Sequence, residues 1–151
     1  MSKRSVNLLR KMAVPALYNS DNPQTGLVLA TKTTTADTTL TAADSGKVIF
    51  LDGSTTHDVT LPSAASGLNF TFFLIDATAD VDIVQAAATE DFVGNITAHN
   101  GKDTAGASDT KIIFDQTGGA AVGDWVQLIC YNDDDWYVVG LSNTAAAVVF
   151  G

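Results

Sequence analysis

The sequence predicts an all-β domain, an antiparallel β-sandwich or jelly-roll-like fold with an extended N-terminal arm. Between residues 38 and 83, short runs rich in β-branched and aromatic residues alternate with Asp, Gly, Ser and Pro. This is the pattern of strands separated by tight turns. Sixteen of the seventeen acids are Asp, which favours turns, and only Glu90 is Glu, which favours helices. At 151 residues, the chain has the length of one domain.

The first 26 residues differ from the rest in charge and in chain-breaking residues. Four of the eight basic residues fall in the first eleven positions, where there is no acid. Pro15 and Pro23 favour an extended path. We therefore divide the chain into a basic arm, residues 1–26, and a β-sandwich domain, residues 27–151.

Ten or so strands are predicted in the domain. Leu27-Val28-Leu29 begins the first, and residues 31–41 contain seven Thr, which suits an exposed strand face or edge. The other candidates are residues 47–52, 58–61, 69–76, 81–85, 92–97, 111–114, 123–131, 136–141 and 146–150. A β-helix is the alternative architecture, although the sequence has no fixed repeat period.

Two of these strands are apolar on both faces. Residues 47–51 and 70–75 are near-continuous apolar runs, whereas a sandwich strand normally has one wet face. The second face must be covered by another strand layer, by the arm or by a neighbouring subunit. The sequence does not choose among the three.

The sequence lacks the patterns of a catalytic or closed metal site. His57 and His99 lie in turn-like contexts and, with the single Cys130, cannot form a closed zinc site. Cys130 lies in a strand pattern and is predicted to be a small buried hydrophobe. There is no G-x-S-x-G elbow, P-loop or dinucleotide fingerprint. We therefore expect no enzymatic activity, no cofactor and no metal ion.

Clustered carboxylates leave a calcium ion as an open alternative. Asp133-Asp134-Asp135 lies in a turn, and Asp80 and Asp82 share one strand face. Hard cations prefer such oxygen ligands. However, consecutive residues cannot all point at one ion, so exposed turn acids are the favoured interpretation.

Three aromatic residues are candidates for stacking on a ligand: Trp125, Trp136 and Tyr137. Exposed together at a strand end, they would stack on sugar rings. In two adjacent strands, the same residues would instead form pairs in the core or in an interface. We favour the core or interface interpretation.

The charge distribution limits the partners. The chain has a net charge of −9, and residues 12–151 carry four basic and seventeen acidic residues, a net of −13. Such an acidic body repels phosphates, so we expect no nucleic-acid partner, and an acidic protein surface suits the arm better. No apolar run approaches the roughly 20 residues of a membrane span. Arg10 and Lys11 interrupt the N-terminal apolar stretch, which makes a poor secretory signal.

Several short motifs resemble a module of bacteriophage virion proteins. Leu40-Thr41 and Asp44-Ser45-Gly46-Lys47 correspond to its opening strand, Thr60-Leu61-Pro62 with Gly67 to its turn, and Asp135-Trp136 to a late strand. The resemblance covers most of residues 38–144 and contains no catalytic signature. It implies a virion building block, made in the host cytoplasm and commonly a homotrimer.

The resemblance supports two functions. The leading hypothesis is a capsid decoration (cement) protein on the virion surface, bound to the major capsid protein. The alternative is a receptor- or glycan-binding head module of a tail fibre or spike. The chain lacks a long repetitive stalk, and its basic arm suits an acidic shell, so decoration ranks first. A non-viral carbohydrate-binding module is a third class, which would need a secretion signal.

Under the leading hypothesis, two segments make the contacts. The arm would dock on the capsid through basic residues and apolar anchors, namely Lys3, Arg4, Arg10 and Lys11 with Val6, Leu8, Leu9 and Met12. The C-terminal segment would add a strand to a neighbour through Val148, Val149 and Phe150.

Overall fold

A computed structural model describes residues 29–106 and 108–151, which form two β-sheets packed face to face. The strands are β1 Thr31–Thr34, β2 Thr38–Thr39, β3 Val48–Asp52, β4 His57–Thr60, β5 Asn69–Asp76, β6 Val81–Val84, β7 Asp91–Ala98, β8 Gly101–Thr104, β9 Lys111–Phe114, β10 Trp125–Cys130, β11 Asp135–Ser142 and β12 Val148–Phe150. A seven-stranded sheet has the order β1-β3-β5-β10-β11-β7-β8, and a five-stranded sheet has the order β12-β9-β6-β4-β2. The predicted all-β sandwich is confirmed. The predicted arm lies outside the described residues.

The pairing is mixed, so the antiparallel prediction holds for only half of the strand pairs. Among the ten pairs in the described ranges, five are antiparallel and five are parallel. Strands β1, β3 and β5 run parallel in one sheet, and β2, β4 and β6 run parallel in the other. The chain therefore alternates between the sheets through its first six strands, as in the β-helix alternative. Thr31 pairs with Val48 and Val48 with Thr71, and these unequal offsets of 17 and 23 residues explain the missing repeat period.

The core lies between the two sheets and follows strand alternation. In β3, Ile49 and Leu51 are fully buried, whereas Val48 and Phe50 on the other face are half-buried. The five-stranded sheet contributes Ile83 and other fully buried aliphatic side chains. Burying each such side chain stabilises the fold by about 1.5–3 kcal/mol.

Asp44 is a buried carboxylate in the short 3-10 turn Ala42–Asp44, which precedes β3. Its Oδ1 accepts a hydrogen bond from Lys47 Nζ at 2.7 Å, and its Oδ2 accepts from the Thr41 N–H at 3.0 Å and from Lys32 Nζ at 3.3 Å. The hydrogen bond from Lys47, followed by the one from Thr41, holds the pKa of Asp44 well below its usual value, against the opposing effect of burial. The ionised carboxylate therefore stabilises this turn.

The other motif residues also have structural roles. Gly46 has a φ of +81° and donates its N–H to Asn69 O at 2.8 Å, which ties the turn to β5. Ser45 Oγ accepts the Asn69 N–H at 3.0 Å. Gly67, with a φ of +91°, donates to Cys130 O at 2.9 Å. The residues that carry the resemblance thus build turns and strand starts.

Replacing Asp44 with Asn should lower the free energy of unfolding by about 2 kcal/mol at pH 7, because hydrogen bonds to a charged group are lost. The folded pKa is depressed, so this stabilisation is complete above the ordinary value of 3.8 and is lost as pH falls toward the folded value. The difference between wild type and variant should stay constant from pH 7 to about 5 and shrink below about 4. Urea unfolding across this range measures it.

The matched control is Asp58→Asn, an exposed acid in β4. Its effect should stay within about 0.5 kcal/mol. A wild-type advantage over Asp44→Asn that is the same at pH 3 and pH 7 would contradict the role of the charge.

Candidate functional site

The outer face of the seven-stranded sheet is the most unusual surface of the described part of the chain. Alternate residues of a strand point away from the core. On β3, β5, β10, β11 and β7, which are neighbours in the sheet, most of these outward positions are apolar. We call the following ten residues the apolar face: Val48, Phe50, Phe73, Ile75, Val93, Trp125, Ile129, Tyr137, Val139 and Leu141.

Strand register arranges the apolar face in rows. One row crosses four strands through Phe50, Phe73, Trp125 and Leu141. The ring centroids of Phe50 and Phe73 are 6.4 Å apart, and those of Phe73 and Trp125 are 6.1 Å apart. These rings partly bury one another and form a continuous aromatic strip. A second row crosses β10, β11 and β7 through Ile129, Tyr137 and Val93.

The side chains of this face are substantially exposed to solvent. Val139 and Leu141 are each 52% exposed. Six of the nine large exposed hydrophobic residues in the described ranges belong to the apolar face. Hydrophobic residues scattered singly over a surface are normal, but a contiguous patch marks a contact surface.

The apolar face carries no acidic or basic side chain within its rows. The other outward positions between its members are neutral, such as Thr71, Gln127 and Asn95. Acids occur only at strand ends, as Asp91 and Asp135 do. The rows therefore form a neutral surface on an acidic protein.

The outer face of the five-stranded sheet is different in chemistry. Asp58 and Asp82 are paired across β4 and β6, and Lys111 Nζ lies 2.6 Å from Asp82 Oδ2. The hydrogen bond to Asp82 raises the pKa of Lys111. The sandwich thus has one charged outer face and one apolar outer face.

A groove of about 570 Å³ opens at one end of the apolar face. Tyr131 is exposed beside it, and its ring meets the edge of the Tyr137 ring with centroids 6.0 Å apart. The full lining is Ser66, Gly67, Ile129, Cys130, Tyr131 and Tyr137. Because Ile129 and Tyr137 belong to both, the groove continues the apolar face.

Trp136 does not lie on this face, so the predicted joint stacking site is wrong. Trp125 and Tyr137 point outward, but Trp136 is fully buried against Phe70, with ring centroids 5.9 Å apart. Trp136 and Tyr137 are consecutive in β11, and alternation places them on opposite faces. The favoured core interpretation is confirmed for Trp136.

Glu90 provides the hydrogen-bond acceptor for the indole N–H of Trp136 inside the core. Glu90 Oε2 accepts the indole N–H at 3.2 Å, and Oε1 accepts the Ala64 N–H at 2.8 Å. The only Glu of the chain is therefore a buried acceptor that joins the segment before β7 to β11 and to the turn after β4. Its role is structural.

The C-terminal segment is already paired within the chain. Val148, Val149 and Phe150 form β12, an edge strand paired with β9. The Phe150 N–H donates to Asp103 Oδ2 at 2.7 Å, and the Phe150 ring packs against Phe92. An added strand would have to displace this contact with β8, which weighs against the predicted strand addition.

Other candidate residues have structural positions or fall outside the described ranges. Cys130 is buried, which confirms its predicted role, and burial raises the pKa of its thiol. In the Asp-rich turn, Asn132 Oδ1 accepts the Asp134 N–H at 2.9 Å. The predicted docking residues lie outside the described ranges: Lys3, Arg4, Val6, Leu8, Leu9, Arg10, Lys11 and Met12.

Residues 29–106 and 108–151 contain neither a cluster of metal-binding side chains nor a membrane-spanning helix. No three His, Cys, Asp or Glu side chains are grouped in these ranges so that they could hold a metal ion. No helix there is long and apolar enough to cross a membrane.

The sequence predicted a contact for six of the ten residues of the apolar face, through the runs 47–51 and 70–75 and through Trp125 and Tyr137, but not for Val93, Ile129, Val139 and Leu141. Ile129, Val139 and Leu141 were assigned to strands but not to a contact surface. The available signal was the run from Trp136 to Leu141. Five of its six residues are apolar, and the sixth is Gly140. As for residues 47–51 and 70–75, an apolar run without alternation indicates a strand whose two faces are both apolar, so a partner for the outer face is expected.

Replacing Glu90 with Gln should lower the free energy of unfolding by about 1–3 kcal/mol. A Gln side chain offers one acceptor and one donor group, so one of the two buried N–H donors would lose its partner. Urea unfolding followed by Trp fluorescence measures the change, with the exposed Asp91→Asn as the control. A variant as stable as wild type would show that these hydrogen bonds do not support the core.

No family model, no curated protein and no solved structure matches this chain.

Proposed function

We propose that this chain is a structural protein of a phage virion. In this proposal it is a capsid decoration (cement) protein that works as a homotrimer and binds the major capsid protein on the outer surface of the shell. The observation that carries the proposal is the apolar face, which is unpartnered within the described part of the chain. A broad apolar surface on a sheet is typical of proteins that act through contacts with other proteins.

The proposed mechanism is mechanical. A protein that binds only the assembled shell stabilises that state by mass action. A trimer brings three arms to the same region of the lattice, so weak individual contacts add up through multivalency. Four basic residues in the arm would meet acidic capsid surface, which favours fast, salt-sensitive docking.

The chemistry of three surface regions supports a separate contact for each of them. The outer face of the five-stranded sheet carries Asp58, Asp82 and Lys111 and suits water. The apolar face suits contacts between subunits, and the basic arm suits the shell. The three regions differ in charge, so each has a distinct partner in the proposal.

The second candidate function is a receptor- or glycan-binding head of a tail fibre. The groove beside Tyr131 and Tyr137 favours it, because exposed aromatic rings bind sugars. Specific sugar recognition also needs several converging polar groups. Ser66 and the two tyrosine hydroxyls are the polar side-chain groups of this lining, so the second candidate ranks lower.

The copy number of the chain in purified virions tests the function. Quantitative gel or mass-spectrometric analysis should give a number comparable to that of the major capsid protein, because a decoration protein covers the whole lattice. A few trimers per particle would contradict decoration and favour the tail-fibre head. No copies in virions would contradict both.

A charge variant tests the arm. Changing Lys3, Arg4, Arg10 and Lys11 to Ser in the full chain should weaken binding to undecorated particles by at least about tenfold, since each exposed ion pair contributes up to about 1 kcal/mol. The salt dependence of binding should fall as well. Lys102→Ser in β8 is the control and should bind like wild type. Unchanged binding of the four-site variant would show that the arm does not dock.

A further inference from the structure

We infer that the apolar face is the surface through which copies of this chain bind one another. The occupant of the face is thus a second copy of the chain. This inference deepens the proposed function and rests on it for the number of copies, because it names the surface that holds the proposed trimer together.

Charge favours the apolar face over the other outer face. Residues 12–151 carry a net charge of −13, so two copies repel each other at long range. Contact through the five-stranded sheet would bring Asp58 and Asp82 of each copy into a desolvated interface. Contact through the apolar face brings fewer carboxylates together, because its rows carry no acid and Asp91 and Asp135 lie at strand ends.

The size of the face matches the centre of a stable interface. Five strands about 4.8 Å apart and four rows of outward positions about 6.8 Å apart give a patch of roughly 20 Å by 20 Å, about 400 Å², in which about half of the outward positions are apolar. A stable contact buries about 800 Å² on each partner, with an apolar centre and a polar rim. Thr97 at the end of β7 lies toward that rim, whereas the neutral Thr71 and Asn95 lie between the apolar residues.

The shape suits a second sheet. The outer faces of twisted sheets pack about 10 Å apart when their side chains interdigitate, and around a threefold axis the face of each copy would meet those of its two neighbours. Phe50, Phe73 and Trp125 are already held against one another, so little side-chain freedom is lost when a partner covers them. Buried aromatic residues at the centre of an interface commonly dominate its binding energy.

The experiment measures the mass of the full chain in solution by light scattering between about 1 and 50 µM, against a monomer mass of 15.7 kDa. Wild type should be oligomeric. Val139→Glu and Val139→Lys should each weaken association at least tenfold, because either charge would be desolvated on the face. A negative and a positive substitution are compared because both would bury a charge, whereas only Val139→Glu would add to the repulsion between acidic copies.

The matched control is Val84→Glu, which makes the same change on the outer face of the five-stranded sheet. Val84 pairs with Lys111 in β9, so a carboxylate is tolerated there. This variant should associate like wild type. Circular dichroism and urea unfolding of all three variants show whether they are folded, which the exposure of Val139 favours.

Three results would overturn the inference. The first is a monomeric wild type, whose apolar face would then be covered by its own arm or by another protein. The second is an oligomer that both Val139 variants leave intact. The third is an oligomer that Val84→Glu disrupts as strongly as the Val139 variants do. Particle binding of the same proteins separates this inference from the proposed function. A monomer that still coats shells overturns the inference and the proposed trimer but leaves the decoration role standing. An oligomer that uses the face but never occurs in virions overturns the decoration role and leaves the inference standing.

Discussion

The central strands of the seven-stranded sheet carry apolar side chains on both faces, and the five-stranded sheet covers only one of them. The covered face holds Ile49, Phe72 and Trp136 at zero exposure, whereas Val139 and Leu141 on the other side remain about half exposed. About half of the positions in the patch of about 400 Å² are apolar, so at roughly 25 cal/mol per Å² of apolar surface it represents on the order of 5 kcal/mol that the isolated subunit does not gain. This is comparable to the cost of association, which is about 4–15 kcal/mol. A partner on this face would therefore offset that cost.

The winding of the chain accounts for this arrangement. Parallel strands need crossovers and are usually buried on both faces, and β1, β3 and β5 are parallel neighbours. In this protein, each crossover passes through the five-stranded sheet, so the crossovers cover the inner face only. The parallel pair β7 and β11 extends the same surface. Gly94 permits that pair, because a Cβ at its φ of +145° would collide with Val138 O.

Local sequence predicted the strands better than their partners. Residues 69–76 and 111–114 were predicted with the bounds that β5 and β9 have, since their apolar runs end in turn residues. Strand β8 was missed because Gly101–Thr104 has no apolar residue, and it is held by pairing with β7. The direction of pairing did leave a signal, because residues 47–51 and 70–75 are near-continuous apolar runs, as parallel strands usually are, and β3 and β5 are parallel neighbours. The faces of Trp136 and Tyr137 were undetermined, because an apolar run without alternation fits either register.

The negative net charge of the chain would limit which surfaces of two copies can come into contact. A protein with such a patch and no net charge would associate through any orientation that buries apolar area. A body with a net charge of −13 over residues 12–151 repels its copies in every orientation that brings carboxylates together. The neutral rows are least affected by this repulsion, since acids on these strands, such as Asp91 and Asp135, lie at strand ends. In the proposed self-association, the apolar face would supply the attraction, and the acids would restrict it to one geometry.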